Sequence, residues 1–107
     1  MIKHRTFGTW LVNYSGTDRI SDLRDDFMRD LRNEGLKARQ FKTPFDLYHH
    51  IHCIACGEAL ETLHEAAKAY GKPLPDQKEL ERMSYIRDVH LEYANDPERR
   101  NHLLSLL

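Results

Sequence analysis

The residues best suited to chemistry lie close together near the middle of the chain. One short stretch holds the strongest metal ligands: His49, His50, His52, Cys53, Cys56 and His64. On a continuous helix His49, Cys53 and Cys56 share one face, and imidazole nitrogen and thiolate sulfur are ligands that Zn²⁺ prefers. A metal-binding helical protein would use these three residues.

The arguments against a metal are stronger. Structural zinc sites take four ligands, and no second Cys-x-x-Cys or His-x-His pair appears outside this stretch. Cys-x-x-Cys also occurs in redox pairs, but these belong to a βαβ context, and the sequence has no strand pattern. We therefore expect Cys53 and Cys56 to be free thiols, with no metal and no cofactor.

Charged residues offer two further candidate surfaces. An acidic stripe consists of Asp22, Asp25, Asp26 and Asp30. Its paired carboxylates could act as acid and base or hold a divalent cation, but they also favour a helix N-terminus or could meet a basic partner. A basic run follows, and its candidates for phosphate contact are Arg32, Lys37, Arg39 and Lys42. A solvated helix end explains that run as well, and the net charge of −1 argues against tight binding of nucleic acid.

The hydrophobic pattern predicts that these residues lie on helices or in the short segments between them. Phe7, Trp10, Leu11 and Tyr14 follow helical spacing, which predicts a first helix from about Thr6 to Tyr14 with Trp10 buried in the core. Four capping signals predict helix starts, at Thr17-Asp18, Thr43-Pro44, Asp76 and Asp96-Pro97. Two glycines, Gly35 and Gly71, predict helix ends.

The inward faces follow from the same periodicity. The second helix should bury Ile20, Leu23, Phe27 and Leu31, and the third Phe45, Tyr48 and Ile51. The fourth should bury Cys56, Ala59, Leu60, Leu63, Ala67 and Tyr70, and the fifth Leu80, Met83, Ile86, Val89 and Tyr93. Whether the third and fourth helices are continuous or bend near His52 to Ala55 is left open.

Length and composition bound the class of protein. At 107 residues with 40% hydrophobic and 31% charged residues, the chain suits one folded unit with a single core. It has no apolar run of about 18 residues. The first six residues lack the apolar region of a secretion signal, so we expect a cytoplasmic protein.

Part of the pattern resembles a known family. Four segments look like the corresponding segments of the YozE-like family. They are Phe7-x-x-Trp10-Leu11-x-x-Tyr14, Ile20-Ser21-Asp22-Leu23, Phe41-Lys42-Thr43-Pro44-Phe45 and Ala55-Cys56-x-x-Ala59-Leu60-x-x-Leu63. The similarity covers about residues 6–70. It departs at an apparent insertion from Asn33 to Gln40 and at Ala67, where many members carry tryptophan. It implies a sterile-alpha-motif-like helical fold and binding of protein or nucleic acid, with no catalytic residues.

The sequence thus predicts an all-α helical bundle with a sterile-alpha-motif-like domain at residues 1–71 and a C-terminal helical extension, residues 72–107, packed on it. We expect a non-enzymatic binding module whose partner is a protein, with weak nucleic-acid binding as the alternative. The leucines at 103, 104, 106 and 107 either pack on the bundle, pair with another copy of the chain to make a homo-oligomer, or stay frayed at the chain end.

Overall fold

The prediction of an all-α protein is confirmed. The computed structural model describes residues 5–52 and 57–107, and this part of the chain contains helices and no strand. The α-helices are α1 (Phe7–Val12), α2 (Arg19–Glu34), α3 (Pro44–Ile51), α4 (Gly57–Tyr70), α5 (Gln77–Glu92) and α6 (Pro97–Ser105). A 3-10 turn, Ala38–Gln40, lies between α2 and α3. None of the described helices is both long and apolar enough to cross a bilayer.

The chain divides into two compact units. The first, Met1–Leu74, holds α1 to α4, and the second, Pro75–Leu107, holds α5 and α6. In the first unit α2 packs on α4, α3 packs on α4, and α1 packs on α2 and the 3-10 turn. In the second, α5 packs on α6.

Helix starts are set by local capping. The carboxylates of Asp18, Asp76 and Asp96 accept hydrogen bonds from the backbone amides of Ile20, Glu79 and Arg99, at 3.1, 2.9 and 3.1 Å. Thr43 caps α3, and Pro44 occupies its first position. These are the four predicted starts, and each satisfies an amide that a helix leaves without an internal partner.

Helix ends follow a second local rule. Gly35 ends α2 with φ 68°, and Gly71 follows α4 with φ 96°, both in the left-handed region that favours glycine. The first helix is shorter than predicted and ends at Val12. The side-chain amide of Asn13 donates to the carbonyl of Thr9 at 2.8 Å, and so takes a partner that another turn of helix would have used.

The core of the first unit centres on α1 and the helices around it. Its most buried large side chains are Phe7, Leu11, Leu47, Tyr48 and Leu63. The prediction that Trp10 is buried is wrong, because Trp10 is partly exposed. The inward stripe of α1 is Phe7, Gly8 and Leu11. Trp10 lies at the edge of this stripe in an aromatic cluster, with its ring centroid 5.8 Å from Phe7 and 5.6 Å from Tyr70.

Two further helices turn a different edge inward from the predicted one. The buried stripe of α3 begins at Pro44 and continues through Leu47, so Phe45 is only partly buried. The buried residues of α4 are Thr62, Leu63, Ala66 and Ala67, while Ala59, Leu60 and Tyr70 are partly exposed. Thr62 is buried at little cost, since its hydroxyl donates to the carbonyl of Glu58 at 3.0 Å.

In the second unit, α5 buries Leu80, Ser84 and Val89. Met83, Ile86 and Tyr93 of the predicted face are partly buried. The guanidinium of Arg99 on α6 lies 5.8 Å from the centre of the Tyr93 ring. Leu103 and Leu104 in the last turn of α6 are partly buried, whereas Leu106 and Leu107, which follow the helix, are 68% and 57% exposed.

Candidate functional site

A groove lies between α2 and α4 in the first unit. It has a volume of about 190 Å³ and is lined by Arg19, Asp22, Leu23, Asp26, Glu58, Ala59 and Thr62. Small-molecule sites usually measure about 300–1,000 Å³, so this groove suits a single side chain better than a whole ligand.

The groove pairs an apolar floor with an acidic wall. Leu23 and Thr62 are 7% and 5% exposed and form its buried part. Asp22 and Asp26 are four residues apart on α2, so both carboxylates project on the same side of the helix. Glu58 adds a third carboxylate from the first turn of α4. This arrangement can bury an aliphatic stem and accept hydrogen bonds from its charged end.

The carboxylates of the groove differ in their existing partners. Asp26 already holds Arg29, with 3.0 Å between carboxylate oxygen and guanidinium nitrogen. Within the described ranges, the carboxylates of Asp22 and Glu58 have no ion pair or hydrogen bond. These two groups are therefore available to a cation from outside the chain.

Arg19 forms the end of the groove and joins its two walls. Its guanidinium lies 3.5 Å from the Glu61 carboxylate and 3.3 Å from that of Glu65, and it donates to the Glu58 carbonyl at 3.4 Å. Exposed ion pairs of this kind contribute little to stability. Their effect here is to hold the Arg19 side chain against Glu61 and Glu65 of α4.

The four basic residues predicted for phosphate contact are all exposed. Arg32 lies in the last turn of α2, Lys37 precedes the 3-10 turn, Arg39 lies within it and Lys42 follows it. The amides of Phe7 and Gly8 donate to the carbonyls of Lys42 and Phe41, at 3.1 and 2.8 Å, so this segment is bound to the start of α1. No ion pair engages these four side chains in the part of the chain that the structure describes.

Of the three metal ligands that the sequence groups on one helix face, Cys53 and Cys56 lie outside the described residues. Residues 53–55, where the third and fourth helices either continue or bend, lie there too. Of that set His49 is described, and its ring packs 6.2 Å from Phe45 and 5.7 Å from His52. The helix that carries His49 ends at Ile51.

Sequence reasoning missed a different cluster. Asp30 and Glu34 on α2 and His50 on α3 bring their ligand atoms within 4.8 Å of one another. The i, i+4 spacing of the two carboxylates was visible in the sequence. Their meeting with His50 depends on how α2 and α3 are placed, for which the sequence holds no local signal.

In comparisons with known proteins, no family model, curated protein or solved structure matches this chain.

Proposed function

We propose that this chain is a non-enzymatic protein-binding module whose α2–α4 groove receives a basic side chain of a partner protein. The observation that carries the proposal is the pair of available carboxylates, Asp22 and Glu58, beside the buried Leu23. The similarity of residues 6–70 to the YozE-like pattern accords with a binding module.

Arginine fits the groove better than lysine. A guanidinium is planar and presents several donors at once, so it can hydrogen-bond to carboxylates on two helices. Its three methylene groups can lie against Leu23 and Ala59 while its charged end reaches Asp22 and Glu58. Charge-assisted hydrogen bonds of this type are stronger than neutral ones, which makes such an arginine an anchor for a larger interface.

The test uses a synthetic ten-residue peptide with one central arginine between apolar residues, titrated into the ¹⁵N-labelled full chain. We expect amide shifts centred on Leu23 and Thr62, and about tenfold weaker binding, equivalent to 1.4 kcal/mol, for the Asp22→Asn/Glu58→Gln variant. A peptide with citrulline in place of arginine keeps the shape without the charge and should bind equally poorly.

Matched control variants distinguish binding in the groove from non-specific attraction between the peptide's positive charge and exposed carboxylates elsewhere. Asp25→Asn changes another exposed aspartate of α2, and Glu98→Gln changes another exposed glutamate in the first turn of a helix. Both should bind the arginine peptide as the unmodified chain does. Equal losses in control and groove variants, or an unaffected groove variant, would contradict the proposal.

A second candidate function is weak, sequence-independent binding of nucleic acid. It is favoured by the exposure of Arg32, Lys37, Arg39 and Lys42 and by the lack of ion pairs to them within the described ranges. Each phosphate contact should contribute a slope of about −0.9 to the dependence of log K on log salt concentration for duplex DNA.

Fluorescence anisotropy with a labelled DNA duplex at low salt tests this candidate. Lys37→Glu/Arg39→Glu should abolish binding, whereas Lys68→Glu/Lys72→Glu, which reverses two exposed lysines elsewhere in the first unit, should leave most of it. Binding that is unchanged in the first variant would exclude the basic segment as the DNA contact.

A further inference from the structure

Asp30, Glu34 and His50 form a compact group of metal-ligand atoms outside the groove. The Nε2 atom of His50 lies 3.0 Å from a carboxylate oxygen of Glu34, and the Asp30 carboxylate completes a triangle with no side longer than 4.8 Å. Two helices contribute to the group, so the tertiary fold and not one helix face creates it. An imidazole nitrogen with two carboxylates is a ligand set that Zn²⁺ and related dications accept.

The position of the imidazole is fixed by aromatic packing. Phe41 is 7% exposed and stacks edge-on against His50 at 5.4 Å and against Phe27 at 5.0 Å. The His50 side chain is 23% exposed, and its Nε2 atom lies 3.0 Å from a Glu34 carboxylate oxygen. A ring held in this way loses little further freedom when it binds an ion, which favours binding.

The local charge is unbalanced. Asp30 and Glu34 together carry two negative charges, and within the described residues His50 is their only cationic partner, and only when protonated. The nearest basic residue along α2, Arg29, pairs with Asp26 instead. A dication would neutralise both carboxylates while bound to neutral His50, which is the form of histidine that ligates metals.

We propose that Asp30, Glu34 and His50 form a binding site for a divalent transition-metal ion such as Zn²⁺. Zinc requires distances of about 2.0–2.2 Å between the ion and each ligand atom. Small rotations of the Asp30 and Glu34 side chains would place their carboxylate oxygens at these distances from one ion. With three protein ligands, the fourth position is filled by water, so the bound ion is exchangeable. Because α2 and α3 both contribute, the ion links these two helices.

Zinc titration by calorimetry on the Cys53→Ser/Cys56→Ser chain tests the site without competing thiolates. We expect one Zn²⁺ per chain, and at least about tenfold weaker binding after a further Asp30→Asn or His50→Gln change, because even outer partners of a metal site contribute about 10–100-fold. Asp25→Asn and His102→Gln change an exposed aspartate and an exposed histidine elsewhere, and should leave the affinity unchanged.

Each result decides the question. Loss of zinc binding in the double-serine chain would assign the ion to the cysteines and overturn the proposal. Unchanged affinity in both Asp30→Asn and His50→Gln, or binding without a defined stoichiometry, would also overturn it. If His50→Gln fails to fold by circular dichroism, the Asp30→Asn variant, whose side chain is partly exposed, decides alone.

Discussion

The amide of Gly8 donates a 2.8 Å hydrogen bond to the carbonyl of Phe41, and this contact brings the backbone of α1 against the 3-10 turn. A Cβ atom built on Gly8 would lie only 2.0 Å from the carbonyl oxygen of Ala38 and 3.0 Å from the Cβ of Phe41. Glycine is thus required here for close approach of two backbones. This close approach also holds the segment from Lys37 to Lys42, which carries three of the exposed basic residues, against the start of α1.

Gly8→Ala should destabilise the first unit although alanine is the better helix former. Overpacking against a backbone oxygen should lower the free energy of unfolding by about 2–3 kcal/mol, more than the gain of about 1 kcal/mol that alanine brings to an ordinary helix position. Gly57→Ala is the matched control, because nothing lies within 4 Å of a Cβ built there. Urea unfolding should show a loss for the first variant and none for the second.

Phe7 and not Trp10 should be the aromatic on which the core most depends. Phe7 is fully buried, so Phe7→Ala should cost about 3–5 kcal/mol. Trp10→Ala should cost less, since its partly exposed ring loses mainly contacts with Phe7, Tyr14 and Tyr70. Comparison of the two unfolding midpoints in urea checks the order, and an equal or greater loss for Trp10→Ala would contradict it.

Tyr14 should titrate at unusually high pH. Its hydroxyl donates to the Asp18 carboxylate at 2.9 Å, and this hydrogen bond, followed by partial burial and the Asp18 charge, raises the pKa of Tyr14 above its ordinary 10.0. The folded chain therefore holds this proton more tightly than the unfolded chain. The resulting stabilisation is complete below about pH 10 and is lost as the pH rises through the raised pKa.

Tyrosinate absorbance is measured against pH for the unmodified chain and for Tyr14→Phe. The difference between the two curves is the titration of Tyr14 alone. Asp18→Asn should move the pKa back toward 10.0, while the asparagine still caps α2. Asp22→Asn serves as the control on the same helix. A titration that does not change in Asp18→Asn would show that this hydrogen bond does not set the pKa.

The exposed leucines at the end of α6 should act between chains. Since Leu106 and Leu107 are 68% and 57% exposed, Leu106→Asp/Leu107→Asp should change the free energy of unfolding of one chain by no more than about 0.5 kcal/mol. Sedimentation should show the unmodified chain as an oligomer and this variant as a 12.7 kDa monomer. Ser105→Asp is the control, and an unmodified chain that sediments as a monomer would contradict the prediction.

Local signals along the chain were enough to predict the all-α class and most helix boundaries. The caps at Asp18, Thr43, Asp76 and Asp96 act on amides two or three residues away, and the left-handed turns at Gly35 and Gly71 are equally local. Such interactions involve neighbouring residues only, so their spacing in the sequence is enough to predict them.

The packing of the helices against one another sets which edge of each helix faces inward and which side chains meet. Helical periodicity defines a broad apolar stripe, and the neighbouring helices select Phe7 over Trp10 and Leu47 over Phe45 within it. The approach of α2 to α4 places Glu58 and Asp22 in one groove, and that of α2 to α3 brings His50 within 3.0 Å of Glu34. These pairs are separated by 36 and 16 residues, and their placement depends on packing across the whole unit, which no local pattern records.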